Sequence, residues 1–262
     1  MELSKRLQAV ADLLDFHEAV ADIGCDHGFV SIYLIESKKA SRVLAMDVNK
    51  GPLERANFHV NEKRLSTYIE TRLSDGAKAI QFVENEEGEF VLEVQAALIA
   101  GMGGRLMVRI IEDSLDKFAS MKEFILQPQS EIPKVRQFIR KMNYYIQEEN
   151  MVLEDGKYYP MMKAVPIKDA NRNLKKASVR MEEKARKAGI ELQDLYDEYG
   201  EYLLKTGNPV LLQFLNYEKE LYQDILNKLV QTKNLKSENR LKEIQEKMKY
   251  INLGLEWFED EM

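Results

Sequence analysis

The chain is poor in the residues that form covalent or metal cross-links, with one cysteine and three histidines among 262 residues. A lone cysteine, Cys25, excludes an intramolecular disulfide, and it shares no ligand spacing with the histidines, so we expect no metal site. Disulfide-stapled mini-proteins are therefore excluded. The 45% of hydrophobic residues also excludes intrinsic disorder, because that much apolar material at this length can bury a core.

Long apolar runs are also missing. A membrane-spanning helix needs about 18 or more consecutive apolar residues, and the most apolar stretch here is the short run Ala96–Gly101. Residues 1–16 mix charged and apolar side chains, and they show neither the basic start nor the apolar block of a secretory leader. Together with the single cysteine, this pattern predicts a soluble protein of the reducing cytoplasm that does not contact a membrane.

The net charge of -6 argues against a protein that coats polyanions in general, because such binding depends on Lys and Arg neutralising phosphates. One segment differs from this average. Residues 168–187 hold eight basic and three acidic residues, which gives 8 - 3 = +5. Two interpretations are open: the segment binds nucleic acid at a defined place, or it is a lysine-rich surface helix.

The first two thirds of the chain alternate short β-rich runs with helical periodicity, which is typical of a parallel sheet with crossover helices. We predict strands at Ala19–Ile23, Arg42–Asp47, Ile69–Leu73, Ala96–Ala100, Phe124–Gln127, Tyr144–Leu153 and Tyr158–Pro166. We predict helices at Phe29–Ser37, Gly51–Lys63, Gly104–Leu115 and Ile132–Met142. The last two strands are close enough in sequence to form an antiparallel hairpin. Five parallel strands followed by such a pair predict an α/β, Rossmann-like sheet of the class I methyltransferase type, not of the dehydrogenase type.

After Pro166 the strands vanish, so we predict a catalytic domain at 1–166 and a helical domain at 167–262. The second domain contains a stripe of apolar residues with the 3, 4 spacing of a coiled coil: Leu241, Ile244, Met248, Ile251, Leu255 and Phe258. An earlier stripe has compatible spacing: Leu211, Leu215, Tyr222, Ile225 and Leu229, with Glu218 interrupting it. The polar stretch Gln231–Glu238 separates the two. We expect an antiparallel helical hairpin; a monomer and a dimer through the same seam both fit the pattern.

A glycine-rich turn follows the first predicted strand and reads ADIGCDHG at residues 21–28. Gly24 allows a sharp turn close to a ligand, and Gly28 lets the next helix begin directly beneath it. The dinucleotide-binding pattern is G-x-G-x-x-G, whereas this turn carries Asp26. A carboxylate there repels a pyrophosphate and suits an ammonium and a sulfonium. The turn therefore favours S-adenosyl-L-methionine over a nicotinamide cofactor.

Two further acids follow predicted strands. Asp47 ends the second strand, 47 - 24 = 23 residues past Gly24, which is near the offset of about 20 for a ribose-binding carboxylate. Asp75 follows the third strand, where its carboxylate or a neighbouring amide can meet the adenine edge. Each alone is as well explained by capping of the next turn. Three acids at three successive strand ends favour a ligand site, because open α/β sheets bind ligands at that edge.

The fourth predicted strand ends in IAGMGG at residues 99–104. Its glycines remove side chains from the strand tip and leave room for the donor methyl and a flat acceptor base; the alternative is a flexible loop. Enzymes that methylate an exocyclic amine carry Asn or Asp followed by Pro-Pro-Tyr here, and this chain does not. The acceptor is therefore predicted to be a ring nitrogen with its own lone pair, for which alignment matters more than a general base.

The motifs ADIGCDHG, MDVNKGP, RLSDG, IAGMGG and ILQPQ, in this order and ahead of a helical tail, resemble the bacterial tRNA (adenine-N1)-methyltransferase family called TrmK. The resemblance spans essentially the whole chain. It implies methylation of N1 of the adenine at position 22, in the D-arm of tRNA, with S-adenosyl-L-methionine as the cofactor. Two positions depart from the expected family pattern: Asp47 stands where we expect glutamate, and Gln129 where we expect asparagine.

The resemblance implies roles for individual residues. The residues expected to bind the cofactor are Asp22, Gly24, Cys25, Asp26, Gly28, Asp47, Val48, Asp75, Gly76, Ala100 and Gly101. The residues expected to form the acceptor site are Asp26, His27, Phe29, Met102, Gly103, Gln127 and Pro128. Phe29 is a platform for an extruded adenine or a core residue. His27 contacts the ligands or bonds to its own loop. Asp26 is the first candidate to stabilise the cationic methylated ring.

Basic residues near these motifs are predicted to contact the tRNA backbone: Arg105, Arg109, Lys134, Arg136, Arg140, Lys175, Lys176 and Arg180. Two other functions share every donor-binding residue. One is a methyltransferase for a small molecule or a protein, with the coiled coil as a dimer interface. The other is a noncatalytic regulator that binds S-adenosyl-L-methionine and uses the coiled coil as a partner-binding arm.

Overall fold

The computed structural model describes residues 3–230 and 235–261 of the chain. The chain divides into two compact units, Met1–Asn171 and Arg172–Met262. The domain boundary that composition predicts falls at the 3-10 helix Ile167–Asp169, just ahead of this division. None of the described helices combines the length and the apolarity that crossing a membrane requires.

The first unit is built on a seven-stranded sheet. The strands of this unit are β1 His17–Ile23, β2 Ala40–Asp47, β3 Ile69–Leu73, β4 Phe82–Glu84, β5 Phe90–Leu92, β6 Ala96–Met102, β7 Glu123–Pro128, β8 Tyr144–Glu154 and β9 Lys157–Pro166. The large sheet has the order β3-β2-β1-β6-β7-β9-β8, in which β9 is antiparallel to both β7 and β8 and the other pairs are parallel. The predicted fold class and terminal hairpin are confirmed. The small antiparallel hairpin of β4 and β5 was not predicted.

Helices cover both faces of the sheet, so its central strands are buried on both sides. In β1, Ala19, Ala21 and Ile23 enter one apolar cluster, and Val20 enters the other. Such two-sided burial is typical of parallel sheets. The helices of this unit are α1 Lys5–Asp12, α2 Phe29–Glu36, α3 Lys50–Glu62, α4 Gly104–Glu112, α5 Leu115–Ala119 and α6 Ile132–Lys141. Residues of α1, α2 and α3 belong to one cluster, and residues of α4, α5 and α6 to the other.

The second unit is helical in its described part. Its helices are α7 Val179–Ala188, α8 Leu192–Tyr199, α9 Glu201–Lys205, α10 Pro209–Val230 and α11 Leu235–Asp260. A Cβ added to Gly254 would lie 3.1 Å from Leu215, while Lys247 lies 3.6 Å from Glu218. A later residue of α10 thus contacts an earlier residue of α11, so the two helices are antiparallel. The predicted polar linker was Gln231–Glu238. Residues 231–234 lie outside the described residues, and α11 begins at Leu235, within the predicted linker.

Glu218, the acid that interrupts the apolar stripe on α10, has polar partners. Glu218 is buried, and its carboxylate accepts a hydrogen bond from the Tyr199 hydroxyl at 3.2 Å beside Lys247. Burial raises the pKa of Glu218, and the Lys247 ammonium opposes this shift. A buried carboxylate needs such partners, since its desolvation is costly. The stripe therefore tolerates an acid at this position.

Candidate active site at the carboxyl edge of the sheet

A cavity of about 320 Å3 opens where β1, β2 and β6 end. The residues that line it are Arg6, Leu7, Asp22, Gly24, Cys25, Asp26, His27, Phe29, Val30, Asp47, Leu98, Ala100, Gly101, Met102 and Gln129. Ten of these fifteen were predicted as site residues from the sequence. The carboxyl ends of three neighbouring parallel strands, with the turns that follow them, therefore surround one cavity. Open α/β sheets bind their ligands at this edge.

The turn after β1 brings backbone close to this space. Gly24 has φ +81°, and a Cβ added to it would lie 2.2 Å from the Met102 methyl carbon. Gly28 has φ +74°, and a Cβ there would lie 3.0 Å from the Cβ of Ala56 on α3. Both positions therefore need glycine, for its positive φ and for its missing side chain. Gly28 lies outside the cavity lining and lets α2 begin beneath the turn.

Three carboxylates face the cavity in different states. Asp22 is buried and accepts a hydrogen bond from Ser31 Oγ at 2.6 Å. Burial raises its pKa to about 6, the Ser31 hydrogen bonds oppose this shift, and the Asp47 charge adds to it. Asp47 accepts a hydrogen bond from the backbone N–H of Asn49 at 2.8 Å. Asp26, at φ +47°, is exposed and lies 3.4 Å from Arg55. The cavity wall is therefore predominantly acidic and suits a cationic ligand.

The thiol in the turn is not a nucleophile. Cys25 is buried, and burial beside Asp22 and Asp47 raises the pKa of its thiol. A thiol of raised pKa is unreactive at neutral pH, because the thiolate is the reactive form. Cys25 therefore contributes to the cavity as a small apolar side chain.

A cluster of three aromatic rings, those of His27, Phe29 and His59, borders the cavity. The ring centroids of His27 and Phe29 are 5.5 Å apart, those of Phe29 and His59 are 4.7 Å apart, and those of His27 and His59 are 5.8 Å apart, so each ring contacts the other two. His59 Nδ1 donates a hydrogen bond to the carbonyl oxygen of His27 at 3.0 Å. Phe29 is half-buried, so the structure combines the two roles considered for it: one part packs, and another part faces the cavity. His59, which lies on α3, was not predicted as a site residue, and no motif marks it.

The wall beneath Gly101 differs from the prediction. Gln127 is fully buried, and its Oε1 accepts hydrogen bonds from Gly101 N at 3.1 Å and from Arg6 Nη1 at 2.7 Å. It therefore lies behind the cavity wall, and Gln129 lines the cavity in its place. Arg6 and Leu7 on α1 were not predicted as site residues, and no motif marks them. Arg6 is 127 - 6 = 121 residues from Gln127, so only the folded chain brings the two together.

The remaining predicted site residues lie around the rim or outside the cavity. Gly103 precedes α4 as its N-cap, and Pro128 ends β7 in a buried position. Val48 is exposed next to Asp47. Asp75 is exposed before Gly76 and pairs with Lys78 at 2.5 Å, which lowers the pKa of its carboxyl. These four positions and Gly76 do not line the cavity in the described structure. Residues 3–230 and 235–261 contain no metal-binding group of three or more His, Cys, Asp or Glu side chains.

A second cavity of about 480 Å3, the α4–α6 groove, begins beside the glycines that follow β6. Its lining residues are Gly104, Arg105, Val108, Arg109, Glu112, Glu131, Lys134, Gln137, Phe138 and Lys141. Glu131 holds two of the cations, Arg105 at 3.3 Å and Lys134 at 2.9 Å. The groove carries four basic and two acidic side chains, so it is a net cationic surface with an apolar floor.

One predicted RNA contact requires correction. Arg136 is 2% exposed and its guanidinium Nε pairs with Glu149 on β8 at 2.8 Å. Glu149 is itself buried and requires a cation, because an unpaired buried charge is costly. Arg136 is therefore unable to contact a phosphate, and the prediction for it is wrong. Arg140 is exposed on the same helix but outside the groove lining, and Lys175, Lys176 and Arg180 lie exposed in the second unit.

Comparisons with known proteins agree with this geometry. The family model described as a methyltransferase domain matches residues 3–162. The tRNA (adenine(22)-N(1))-methyltransferase of Bacillus subtilis is 29% identical over 252 residues, which cover 96% of this chain and 96% of that protein. The crystal structure of B. subtilis TrmK, a m1A22 tRNA methyltransferase, has a TM-score of 0.75 at 29% identity, covering 97% of this chain and 99% of that one.

A further solved structure carries the donor. Streptococcus pneumoniae Sp1610, described as a putative tRNA (m1A22) methyltransferase in complex with S-adenosyl-L-methionine, has a TM-score of 0.74 at 26% identity, covering 97% of this chain and 100% of that chain. The family match covers more than half of this chain, and the relatives match it over nearly its full length. The chain therefore belongs to the methyltransferase domain family and is homologous to the bacterial TrmK enzymes.

Proposed function

We propose that this chain is an S-adenosyl-L-methionine-dependent methyltransferase that methylates N1 of adenine 22 in tRNA. The observation that carries the proposal is the acidic cavity at the tips of β1, β2 and β6, in a chain that is homologous over nearly its full length to an enzyme named for that reaction. A tRNA substrate places this activity in the cytoplasm. The cavity would hold the methyl donor, and the glycine-rich tip of β6 would leave room for the acceptor base to approach it.

The cavity residues fit the donor. Bound there, S-adenosyl-L-methionine supplies a methyl group activated by its sulfonium. Asp47, which ends β2, would accept hydrogen bonds from the ribose hydroxyls. Asp22 and Asp26 would face the cationic part of the ligand, and Gly24 allows the backbone to approach it. Val48 and Gly76 would border the adenine from the strand tips.

The acceptor side needs no general base. Neutral adenine N1 has an in-plane lone pair, so no side chain has to remove a proton before the new N–C bond forms. The protein's contribution is therefore alignment and charge. Gly101 and Gly103 present no side chains at the strand tip, which leaves the ring room to approach. Methylation gives the ring a positive charge, and the exposed carboxylate of Asp26, which lines the cavity, would stabilise it.

The aromatic cluster would hold an unpaired base. N1 lies on the base-pairing edge of adenine, so the base has to leave its helix before it can react. His27 and Phe29 line the cavity, and their rings contact each other and the ring of His59. We propose that the extruded adenine stacks against this cluster while its N1 edge enters the cavity.

The experiment uses donor labelled in its methyl group and two unmodified tRNA transcripts, one with adenine and one with guanine at position 22. We expect label in 1-methyladenosine for the first transcript and no incorporation for the second. The RNA is digested at neutral pH, because alkali converts 1-methyladenosine to N6-methyladenosine, and the nucleosides are separated by chromatography.

The same experiment separates the competing functions. Label in N6-methyladenosine would contradict the ring-nitrogen acceptor. Equal labelling of both transcripts would contradict position 22. Incubation with a cell extract treated with ribonuclease tests for a metabolite or protein acceptor, and label recovered there alone would establish that alternative. Donor binding without transfer to any of these acceptors would identify a noncatalytic regulator.

Donor binding should depend on pH through Asp22. The pKa of this buried carboxyl is raised to about 6. It is therefore mostly ionised at pH 7.5 and mostly protonated at pH 5, where it offers no charge to a cationic ligand. A ligand that binds only the ionised form loses affinity about tenfold for each pH unit below the pKa. We expect S-adenosylhomocysteine to bind about tenfold more weakly at pH 5 than at pH 7.5, measured by isothermal titration calorimetry.

Asp22→Asn is the matched control for this pH dependence. The amide has the size of the carboxyl and can still accept the Ser31 hydrogen bond, but it does not titrate. The variant should bind more weakly at pH 7.5 and show little further loss at pH 5. A tenfold loss that persists in Asp22→Asn would show that Asp22 is not the group responsible for the pH dependence.

A further inference from the structure

We propose that Arg6, on the N-terminal helix α1, binds the carboxylate at the amino-acid end of the donor and is a specificity-determining residue for it. The inference rests on the proposed function, because it concerns the same cavity. Nothing in the motifs of the chain marks this residue. Its position in the folded chain, at the cavity wall beside Gln127 and Gly101, carries the argument.

The Arg6 guanidinium lies at the cavity wall, and none of its contacts within residues 3–230 and 235–261 is with an acidic side chain. Its Nη1 donates to Gln127 Oε1 at 2.7 Å, and its Cζ lies 5.3 Å from the centre of the Tyr159 ring. In the described residues these contacts are with a neutral amide and an aromatic ring, not with a carboxylate. The backbone N–H of Arg6 donates to Glu154 Oε1 at 3.2 Å, which anchors the start of α1 to β8. The guanidinium thus keeps donors available for an anion.

The charges of the cavity match the charges of the donor. Of the described residues that line the cavity, Arg6 is the only Lys or Arg, and Asp22, Asp26 and Asp47 are the carboxylates. Lining charges of -3 and +1 give a net charge of -2. The donor carries a sulfonium, an ammonium and one carboxylate. Asp22 and Asp26 complement its two cations, Asp47 is left for the ribose hydroxyls, and its carboxylate matches the one cationic side chain, Lys or Arg, among the described lining residues.

Gln127 acts as a positioning residue for Arg6. The same Oε1 atom accepts from the backbone N–H of Gly101 and from the guanidinium, so it ties the strand tip of β6 to α1. Gly101 has no side chain, and a Cβ there would lie 3.7 Å from Arg6 Nη1. The guanidinium therefore lies over the glycine-rich tip, beside the space in which the donor and the acceptor base would meet. Gln127 does not line the cavity itself, and its role would be to hold the Arg6 guanidinium in place.

The test compares two ligands on the full chain by isothermal titration calorimetry. One ligand is S-adenosylhomocysteine, and the other is its decarboxylated analogue, which keeps the amine and the nucleoside. We expect Arg6→Gln to weaken S-adenosylhomocysteine about 10- to 100-fold, the range for one charge-assisted contact, and to change the analogue by less than about twofold. Arg6→Lys should recover part of the loss. Lys5→Gln, one residue away and exposed, should leave both affinities unchanged.

The outcomes distinguish this inference from the proposed function. Failure of the wild-type chain to bind S-adenosylhomocysteine would overturn the proposed function and this inference with it. Wild-type binding with an equal loss of both ligands in Arg6→Gln would overturn the inference alone, because Arg6 would then support the cavity and not the carboxylate. An unchanged affinity for both ligands would also overturn it. A loss confined to the ligand that carries the carboxylate supports it.

Discussion

Asp47→Asn should weaken S-adenosylhomocysteine binding about 100-fold, a change of about 2.7 kcal/mol in binding free energy. The carboxylate at the end of β2 can accept from two ribose hydroxyls at once, and hydrogen bonds to a charged group contribute about 1.5–3 kcal/mol each. Asparagine has nearly the same size and can keep the hydrogen bond from Asn49 N. The fold should therefore survive, and the loss should appear in calorimetric titration with an unchanged thermal unfolding midpoint.

Asp75→Asn is the matched comparison, since it removes the same charge at the end of the neighbouring strand. Asp75 is exposed, pairs with Lys78 and lies outside the cavity lining. We expect a loss of less than about threefold, because a screened surface ion pair contributes little and a backbone amide can serve the adenine edge. An unchanged affinity in Asp47→Asn would remove the basis for the ligand site at this edge of the sheet. Equal large losses in both variants would move the donor toward β3.

The sheet could be predicted because its signals are local. Most of the predicted strands are short runs of β-branched or apolar residues next to a turn, such as Ala19–Ile23 and Ala96–Ala100, and the folded chain keeps them as strands. The hairpin of β4 and β5 escaped prediction for the same reason: it lies among Glu84, Glu86, Glu87 and Glu89, and Phe90 is 74% exposed, so no burial pattern marks it. A lysine-rich helix was one of two interpretations of residues 168–187, where α7 lies, but the ends of α7, α8 and α9 were not predicted, because composition alone does not place them.

The site could be predicted where the fold follows a rule and not where it depends on distant contacts. Parallel strands place their carboxyl ends at one edge, so Asp22, Gly24 and Asp47 could be grouped from sequence. Arg6 could not, because no spacing relates it to Gln127 or to Gly101. Arg136 shows the converse. It was predicted to contact the tRNA backbone together with Lys134 and Arg140 on the same helix, but it is buried as the partner of Glu149 on β8.

The second large effect concerns the α4–α6 groove. Arg105 and Arg109 are exposed, one helical turn apart on α4, at the end of the groove that begins beside the glycines after β6. Replacing both by glutamate should weaken tRNA binding by at least about tenfold. It should also make the negative slope of log affinity against log salt concentration shallower by about two, because each phosphate contact contributes about 0.9 to the steepness of that slope. Filter-binding or fluorescence titrations over a range of salt concentrations measure both quantities.

The controls separate phosphate contact from misfolding and from net charge. Lys122→Glu reverses an exposed charge just before β7, at the opposite end of the sheet from the cavity. It should leave the tRNA affinity within about twofold. S-adenosylhomocysteine binding should be unchanged in all these variants, since none of the three residues lines the donor cavity. If the double reversal weakened donor and tRNA binding together, a folding defect would explain it. If tRNA affinity and salt slope both stayed at wild-type values, the RNA would have to follow another surface, because a phosphate path through this groove cannot tolerate two added carboxylates in place of its cations.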